Sequence, residues 1–255
     1  MRVTLLGTGA SHGIPVIACD CIVCTSDDPR NRRTRASALI EVGGRTLLID
    51  TTPELRFQAT RHGIRRVDAI LYTHYHADHT HGIDDVKAFN AVLGEALPCY
   101  GNQSTADVLG ARFDYAFVGT PWVGFIPHLT FTVVDRPFDL FDIPITPVEL
   151  QHGRIVSTGW RIGSFAYLTD ANAISSASLS LLAGLDVMVI DGLRERPHPT
   201  HFSIPEAVAV ARALGPRRTL LTHLTHEVEH ATVSETLPPG VELGYDELTF
   251  ELPDP

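Results

Sequence analysis

Five short apolar runs in this chain each end on an aspartate or a histidine. Leu47-Leu48-Ile49 runs into Asp50, and Ile70-Leu71-Tyr72 into Thr73-His74. Tyr167-Leu168-Thr169 runs into Asp170, Met188-Val189-Ile190 into Asp191, and Leu220-Leu221-Thr222 into His223. Short apolar runs alternating with helical stretches read as the strands of a layered α/β protein. Polar side chains at the ends of such strands are held by a rigid frame and gather into sites. A single aspartate after a strand is more often the cap of a following helix. Aspartate alternating with histidine over five strands favours one shared site.

The remaining pattern agrees with that class. Val3–Leu6 predicts a strand ending in the turn Gly7-Thr8-Gly9. Ser37–Val42 and Arg45–Ile49 flank Gly43-Gly44 and read as a hairpin. Pro53–His62 predicts a helix stopped by Gly63, and Ala69–Tyr72 a strand, with Asp84–Leu93 helical again. The Pro-, Gly- and aromatic-rich stretch from Leu97 to Pro147 offers only short strand candidates. Phe165–Leu168, Asp186–Ile190 and Arg218–Leu221 predict strands. Ser203, Pro205 and Glu206 open a capped helix that runs to Leu214 and stops at Gly215-Pro216. No linker or repeat divides the 255 residues, so residues 1–255 are expected to form a single domain. With 30 acidic against 20 basic residues the net charge is −10, which argues against a broad nucleic-acid or anionic-membrane footprint. No apolar run is long enough for a membrane span, and MRVTLLGTGA does not read as a signal peptide. Four cysteines are too few for a disulfide framework, so the expected location is the cytoplasm.

The densest chemistry lies in Thr73-His74-Tyr75-His76-Ala77-Asp78-His79, three imidazoles and a carboxylate within six residues. Neutral histidine and ionised aspartate are ligands for zinc, manganese and iron. In extended backbone His74 and His76 point the same way and can share one ion. Asp78 and His79 then turn toward a second as the chain enters a helix.

This segment resembles the H-x-H-x-D-H signature of the metallo-β-lactamase superfamily. The resemblance spans nearly the whole chain, from Gly7-Thr8-Gly9 to His226. It implies an αβ/βα sandwich of two mixed β-sheets with helices on the outer faces. It further implies that His152 is the third histidine, Asp170 the carboxylate bridging two metals and His223 the last histidine, with Asp50 supporting the metal loop from behind. His74, His76 and His152 would hold one divalent ion and Asp78, His79 and His223 the other. Two such ions, Mn2+ or Zn2+, share a bridging hydroxide that acts as nucleophile, with Asp78 among the catalytic groups.

Cys19, Cys21 and Cys24 form C-x-C-x2-C, which reads as a metal knot rather than a pair of disulfides. A closed structural zinc site needs a fourth ligand. Cys99 qualifies by type and His226, three residues past His223, is the better placed. The layout is similar to the PhnP-type phosphodiesterases, a branch of the superfamily that hydrolyses cyclic phosphates. In that branch a Cys3His zinc ties the N-terminal loop to the loop of the last active-site histidine. The same resemblance gives His201, just before the Ser203 cap, the role of general acid, with His198 as its rival. Arg30, Arg32, Arg33 and Arg35 read either as a solvated loop or as a grip on substrate phosphate.

The expectation is therefore a binuclear, metal-dependent phosphodiesterase for small, cyclic phosphodiesters, with two divalent ions and one structural Zn2+. No membrane or stable nucleic-acid partner is expected, and the family suggests a homodimer. One alternative is a tRNA 3′-processing endonuclease. Those carry a tRNA-gripping arm between the third histidine and the bridging aspartate, where only 17 residues separate His152 from Asp170. The other is a non-catalytic binding protein like the pyrroloquinoline-quinone-associated relatives, which typically depart from the full ligand set.

Overall fold

The structure, a computed structural model, describes residues 1–117 and 124–255. In chain order the strands are β1 (Arg2–Gly7), β2 (Ser37–Val42), β3 (Arg45–Ile49), β4 (Ala69–Leu71), β5 (Leu97–Gly101), β6 (Leu129–Val133) and β7 (Phe138–Leu140). They continue with β8 (Ile143–His152), β9 (Ile155–Ile162), β10 (Phe165–Leu168), β11 (Val187–Asp191), β12 (Arg218–Thr222), β13 (Val241–Leu243) and β14 (Thr249–Glu251). They form two seven-stranded sheets, ordered β14-β1-β2-β3-β4-β5-β6 and β13-β12-β11-β10-β9-β8-β7. Both are mixed. Antiparallel pairs start each one, β1 with β2 and β2 with β3, or β8 with β9 and β9 with β10. Parallel strands follow, β3-β4-β5-β6 and β10-β11-β12-β13.

The apolar runs explain the layering. In β3, Leu47 and Ile49 point between the sheets and Leu48 points outward; in β11, Val187 and Val189 point in and Met188 and Ile190 out. The inner residues of both sheets, Trp160, Phe165 and Tyr167 among them, merge into one central core. The outer face of the first sheet packs against the helices Leu55–Arg61, Lys87–Leu93 and Gln103–Arg112, and that of the second against Ile204–Leu214. The result is the four-layered αβ/βα sandwich. Among the described residues, no helix is long and apolar enough to cross a membrane.

The hairpin about Gly43-Gly44 and the helix after Ser203 keep their expected bounds. The carboxylate of Glu206 accepts from Ser203 N at 2.8 Å, closing the capping box. Two expectations shift. The helix expected over Asp84–Leu93 is a 3-10 turn, Ile83–Val86, followed by Lys87–Leu93. The stretch read as short strands also holds the ten-residue helix Gln103–Arg112, capped by Asn102, whose side chain accepts from Thr105 N at 2.9 Å. Few of that helix's side chains are buried, so it lacked the apolar stripe by which helices are recognised.

Candidate metal centre

The polar side chains stand where the strands stop. Asp50 follows β3, His74 to His79 follow β4, and His152 ends β8. Asp170 follows β10, Asp191 ends β11 and His223 follows β12. Asp50, Asp170 and His223 adopt left-handed backbone, with φ of 62°, 57° and 57°. Aspartate and histidine enter that region more readily than most residues, but still at some strain, which folds tend to keep for functional corners. The corners turn side chains of both sheets toward one point at the edge of the sandwich.

There the donor atoms form two groups. Those of His74, His76, His152 and Asp170 lie within 4.8 Å of one another, as do those of Asp78, His79 and His223. Asp170 faces both. Its Oδ2 lies 3.8 Å from His74 Nε2 and 3.7 Å from His152 Nε2, and its Oδ1 lies 3.2 Å from His79 Nε2 and 3.5 Å from His223 Nε2. Asp78 Oδ2 closes the second group at 3.3 Å from His79 Nε2 and 3.5 Å from His223 Nε2.

The far edges of the rings are held by the protein. His79 Nδ1 lies 2.7 Å from Asp50 Oδ2, and Asp50 also accepts from Thr73 N and Oγ1 at 2.8 and 2.7 Å. Because Thr73 Oγ1 donates to Asp50, it accepts from His74 Nδ1 at 3.1 Å. His152 Nδ1 donates to Thr200 O at 2.7 Å. These bonds occupy Nδ1 of each ring and turn Nε2 inward. The Nε2 atoms of His74, His79 and His223 are buried with no hydrogen-bond partner. Several unpartnered buried nitrogens converging on two carboxylates cost stability if left so, and they make a donor set that fits divalent cations.

Charge leads to the same conclusion. Burial lowers His74 well below the ordinary imidazole range and lowers His76 and His152 too, so all three are neutral, as ligands must be. Burial also works to lower His79 and His223. There the carboxylates of Asp170 and Asp78, joined by Asp50 at His79 and Asp191 at His223, outweigh it, lifting His79 well above its usual value and His223 to about 9. Burial works to raise Asp170 and Asp78, yet the surrounding histidines hold both far below the carboxylate range. Without a cation, protons on these two imidazoles offset the buried carboxylates.

Beside the centre, His201 Nδ1 lies 2.7 Å from Asp191 Oδ2, which also accepts from Ala171 N at 3.1 Å. The His201 ring stacks on that of His223, 4.7 Å between centroids at 14°. Asp191 stood out in the sequence only as one strand end among five; its pairing with His201 needed the crossover between parallel strands to be seen. His198 is turned aside, its Nδ1 accepting from Thr200 N at 3.4 Å. Ser11, His76, Asp78, His152, Arg154 and His201 are among the residues lining an open cavity of about 630 Å3 above the centre.

A second group lies on the N-terminal loop. The sulfurs of Cys19, Cys21 and Cys24 lie 3.2, 3.5 and 3.6 Å from His226 Nδ1. All four cysteines are free, and Cys99 is buried within β5, apart from this group. Hydrogen bonds from the Cys24 backbone first, and from its neighbours, lower the Cys21 thiol to about 6, while burial raises Cys24 to about 11. Three sulfurs around one imidazole nitrogen form a donor set that fits tetrahedral zinc.

The arginine cluster is elsewhere. Arg33 is 1% exposed and bonds Arg30 O, Val228 O and Asn31 Oδ1 at 3.1, 3.0 and 3.2 Å. Arg30 pairs with Asp28 at 2.7 Å, and Arg35 pairs with Glu54. None of Arg30, Arg32, Arg33 and Arg35 lines the cavity above the centre, so a grip on substrate phosphate there does not fit them. Arg33 instead locks the cysteine loop to the chain beyond His223.

A family profile described as Beta-lactamase superfamily domain matches residues 45–224. A crystal structure described as a new diphosphatase from the PhnP family superposes with a TM-score of 0.92 at 41% identity, covering 99% of this chain and 98% of that one. The "Octanoyltransferase" of Porphyromonas gingivalis is 38% identical over 253 residues; these are 97% of this chain but 51% of the relative, so the chain spans about half that protein's length. The "Coenzyme PQQ synthesis protein B" of Methylorubrum populi is 33% identical over 222 residues, 75% of this chain and 73% of that one. The fold, the donor groups and the diphosphatase neighbour support a metal-dependent hydrolase.

Proposed function

Because the chain belongs to the beta-lactamase superfamily, we propose that it is a binuclear metal-dependent phosphodiesterase acting on small, cyclic phosphodiesters. The observation that carries this reading is Asp170, each of whose oxygens faces a separate group of imidazoles. His74, His76 and His152 would hold one divalent ion and Asp78, His79 and His223 the other. When bound, such cations supply a Lewis acid for a phosphoryl oxygen and a water made acidic near neutral pH. The chain's residues do the rest. Thr73, Asp50 and Thr200 orient the imidazoles, so the donor set is preorganised. Asp191 holds His201 by Nδ1, which leaves the other ring nitrogen to protonate the departing ester oxygen. Cyclic esters suit this device, since their leaving group is an alkoxide that needs a proton. Cys19, Cys21, Cys24 and His226 would hold a structural Zn2+.

A small substrate is favoured over tRNA. The residues between His152 and Asp170 are β9, its turns and β10, and carry no protruding arm. The acyl transfer in the Porphyromonas gingivalis relative's name stays with that protein, of whose length the chain spans 51%.

The test is turnover of bis-p-nitrophenyl phosphate by the metal-loaded protein, with Asp170→Ala alongside. Wild type should turn over the substrate. Asp170→Ala should lose metal and at least a hundredfold of activity while keeping the wild-type circular dichroism spectrum. A variant with wild-type metal content and turnover would remove Asp170 from the centre, and an inert wild type would refute the phosphodiesterase reading.

A further inference from the structure

The arginines that stay clear of the metal centre line a cavity of their own. Arg30, Arg32 and Arg33 come from the chain returning from the cysteine loop, and Arg61 ends the helix Leu55–Arg61. The connection between β13 and β14, at Tyr245, Asp246 and Glu247, closes the remaining side. The space measures about 570 Å3, and none of its described lining residues also lines the cavity above the metal centre. That size suits a whole small ligand. Ile14, Pro29 and Tyr245 give it an apolar wall beside the cations.

In a chain of net charge −10, this cavity keeps positive charge unspent. Arg30 is held by Asp28, its Nε and Nη2 at 3.0 and 2.7 Å from the carboxylate. Asp246 is committed to the backbone corner beside it. Its Oδ1 accepts from Thr8 N and Oγ1, each at 2.9 Å, and its Oδ2 from Thr34 N and Oγ1 at 2.8 and 2.7 Å. Arg61 lies 3.3 Å from Glu247 and 4.0 Å from Asp246. The Arg61–Glu247 pair is exposed, and such pairs contribute little in water. Arg32 is exposed, and among the described residues its guanidinium has no carboxylate or hydrogen-bond partner. Arg33, 1% exposed, is satisfied by carbonyls and Asn31 Oδ1 rather than by a carboxylate. A buried guanidinium so placed adds a positive field that water screens poorly. A dianion entering the cavity therefore finds Arg32 free, Arg61 loosely held and Arg33 adding to the attraction. A guanidinium fork matches two oxygens of a phosphoryl group.

We propose that this cavity is a binding site for a small organic phosphate, separate from the metal centre, with Arg32 and Arg61 gripping the phosphoryl group and the apolar wall covering its carbon body. The site does not depend on the reaction proposed above. Calorimetric titration of the metal-loaded protein with phenyl phosphate and with inorganic phosphate tests it. A phosphoryl group can also meet the metals, so Asp170→Ala is titrated alongside to remove that competitor. Wild type and Asp170→Ala should both bind phenyl phosphate with a Kd of about 1 mM or tighter. Both should bind it more tightly than inorganic phosphate, which has no carbon body to cover. Arg32→Glu and Arg61→Ala, added to Asp170→Ala, should each weaken binding at least tenfold without changing the circular dichroism spectrum. In the wild-type background the same two substitutions should lower the bound stoichiometry by one per chain and leave the metal content unchanged. Unchanged binding in either arginine variant would overturn the proposal, as would binding that vanishes in folded Asp170→Ala, which would assign it to the metal centre. Equal affinity for the two probes would make the cavity a site for inorganic anions and overturn the organic ligand.

Discussion

His201 can be read in two ways from its atoms. The donors of Asp170, His201 and His223 lie within 4.8 Å of one another, the spacing of a further ligand group. But the His201 atom that nears Asp170, at 3.8 Å, is Nδ1, and the same Nδ1 is held by Asp191 at 2.7 Å. A nitrogen bonded to a carboxylate at that distance carries a proton and has no lone pair to offer a cation. That leaves Nε2, which the proposed proton-donor role needs to be protonated, and the role predicts a selective defect. General-acid help contributes roughly 10² to 10⁴ in rate and matters most for poor leaving groups. His201→Ala should keep its active-site metal and lose at least a hundredfold on a 2′,3′-cyclic nucleotide, yet under tenfold on bis-p-nitrophenyl phosphate, whose phenolate departs unaided. Loss of metal with failure on both substrates would make His201 a ligand. Equal losses with the metal intact would make it a phosphate-orienting group.

Among the elements, the cysteine loop and the loop after β12 behave as one body. Ala10 N bonds Leu224 O at 3.0 Å and Leu224 N bonds Thr8 O at 2.9 Å, between His223 and His226. The buried Arg33 guanidinium adds its bond to Val228 O. A zinc held by Cys19, Cys21, Cys24 and His226 would therefore brace the corner that presents His223. Cys21→Ser should remove one zinc per chain and lower Tm by roughly 5 °C or more, about 1–2 kcal/mol or more for a chain of this size. Metal count and Tm both unchanged would reduce the loop to three thiols. What the sequence disclosed of these elements follows from how each signal is written. Strand-end residues such as Asp50, Asp170 and His223 were legible because rigid strands stop at one level and aim the next residue at a common edge. The Cys and His spacings were legible because coordination geometry is local. The helix Gln103–Arg112, Arg33's carbonyl contacts and the Asp191–His201 pair were not. The first buries too little to leave a periodic stripe, the Arg33–Val228 contact joins segments far apart in sequence, and the Asp191–His201 pair depends on how the connection after β11 doubles back.

For the whole molecule, the centre at the sandwich edge is a concentration of buried charge whose balance depends on cations, and this gives metal removal a pH signature. In the metal-free protein His223 sits at about 9, because Asp170, Asp78 and Asp191 outweigh the burial that would lower it. Its unfolded value is about 6.5. Between those values the folded state binds more protons than the unfolded state, so stability falls as pH rises. The contribution is fully present below pH 6.5 and lost as pH passes 9, worth about 3 kcal/mol at most. In the loaded protein the dependence reverses, because ligation requires the neutral imidazole and tightens as protons leave. The two melting curves should therefore diverge on the alkaline side. Chelator-treated protein should lose several degrees of Tm from pH 6.5 to 9, while metal-loaded protein holds or gains, so the gap between them widens with pH. His223→Gln should flatten the slope of the metal-free protein, since its amide does not titrate. Parallel pH profiles with and without metal would mean that the buried carboxylates are balanced by something other than protons on these imidazoles, and the case for this cluster as the cation site would fail.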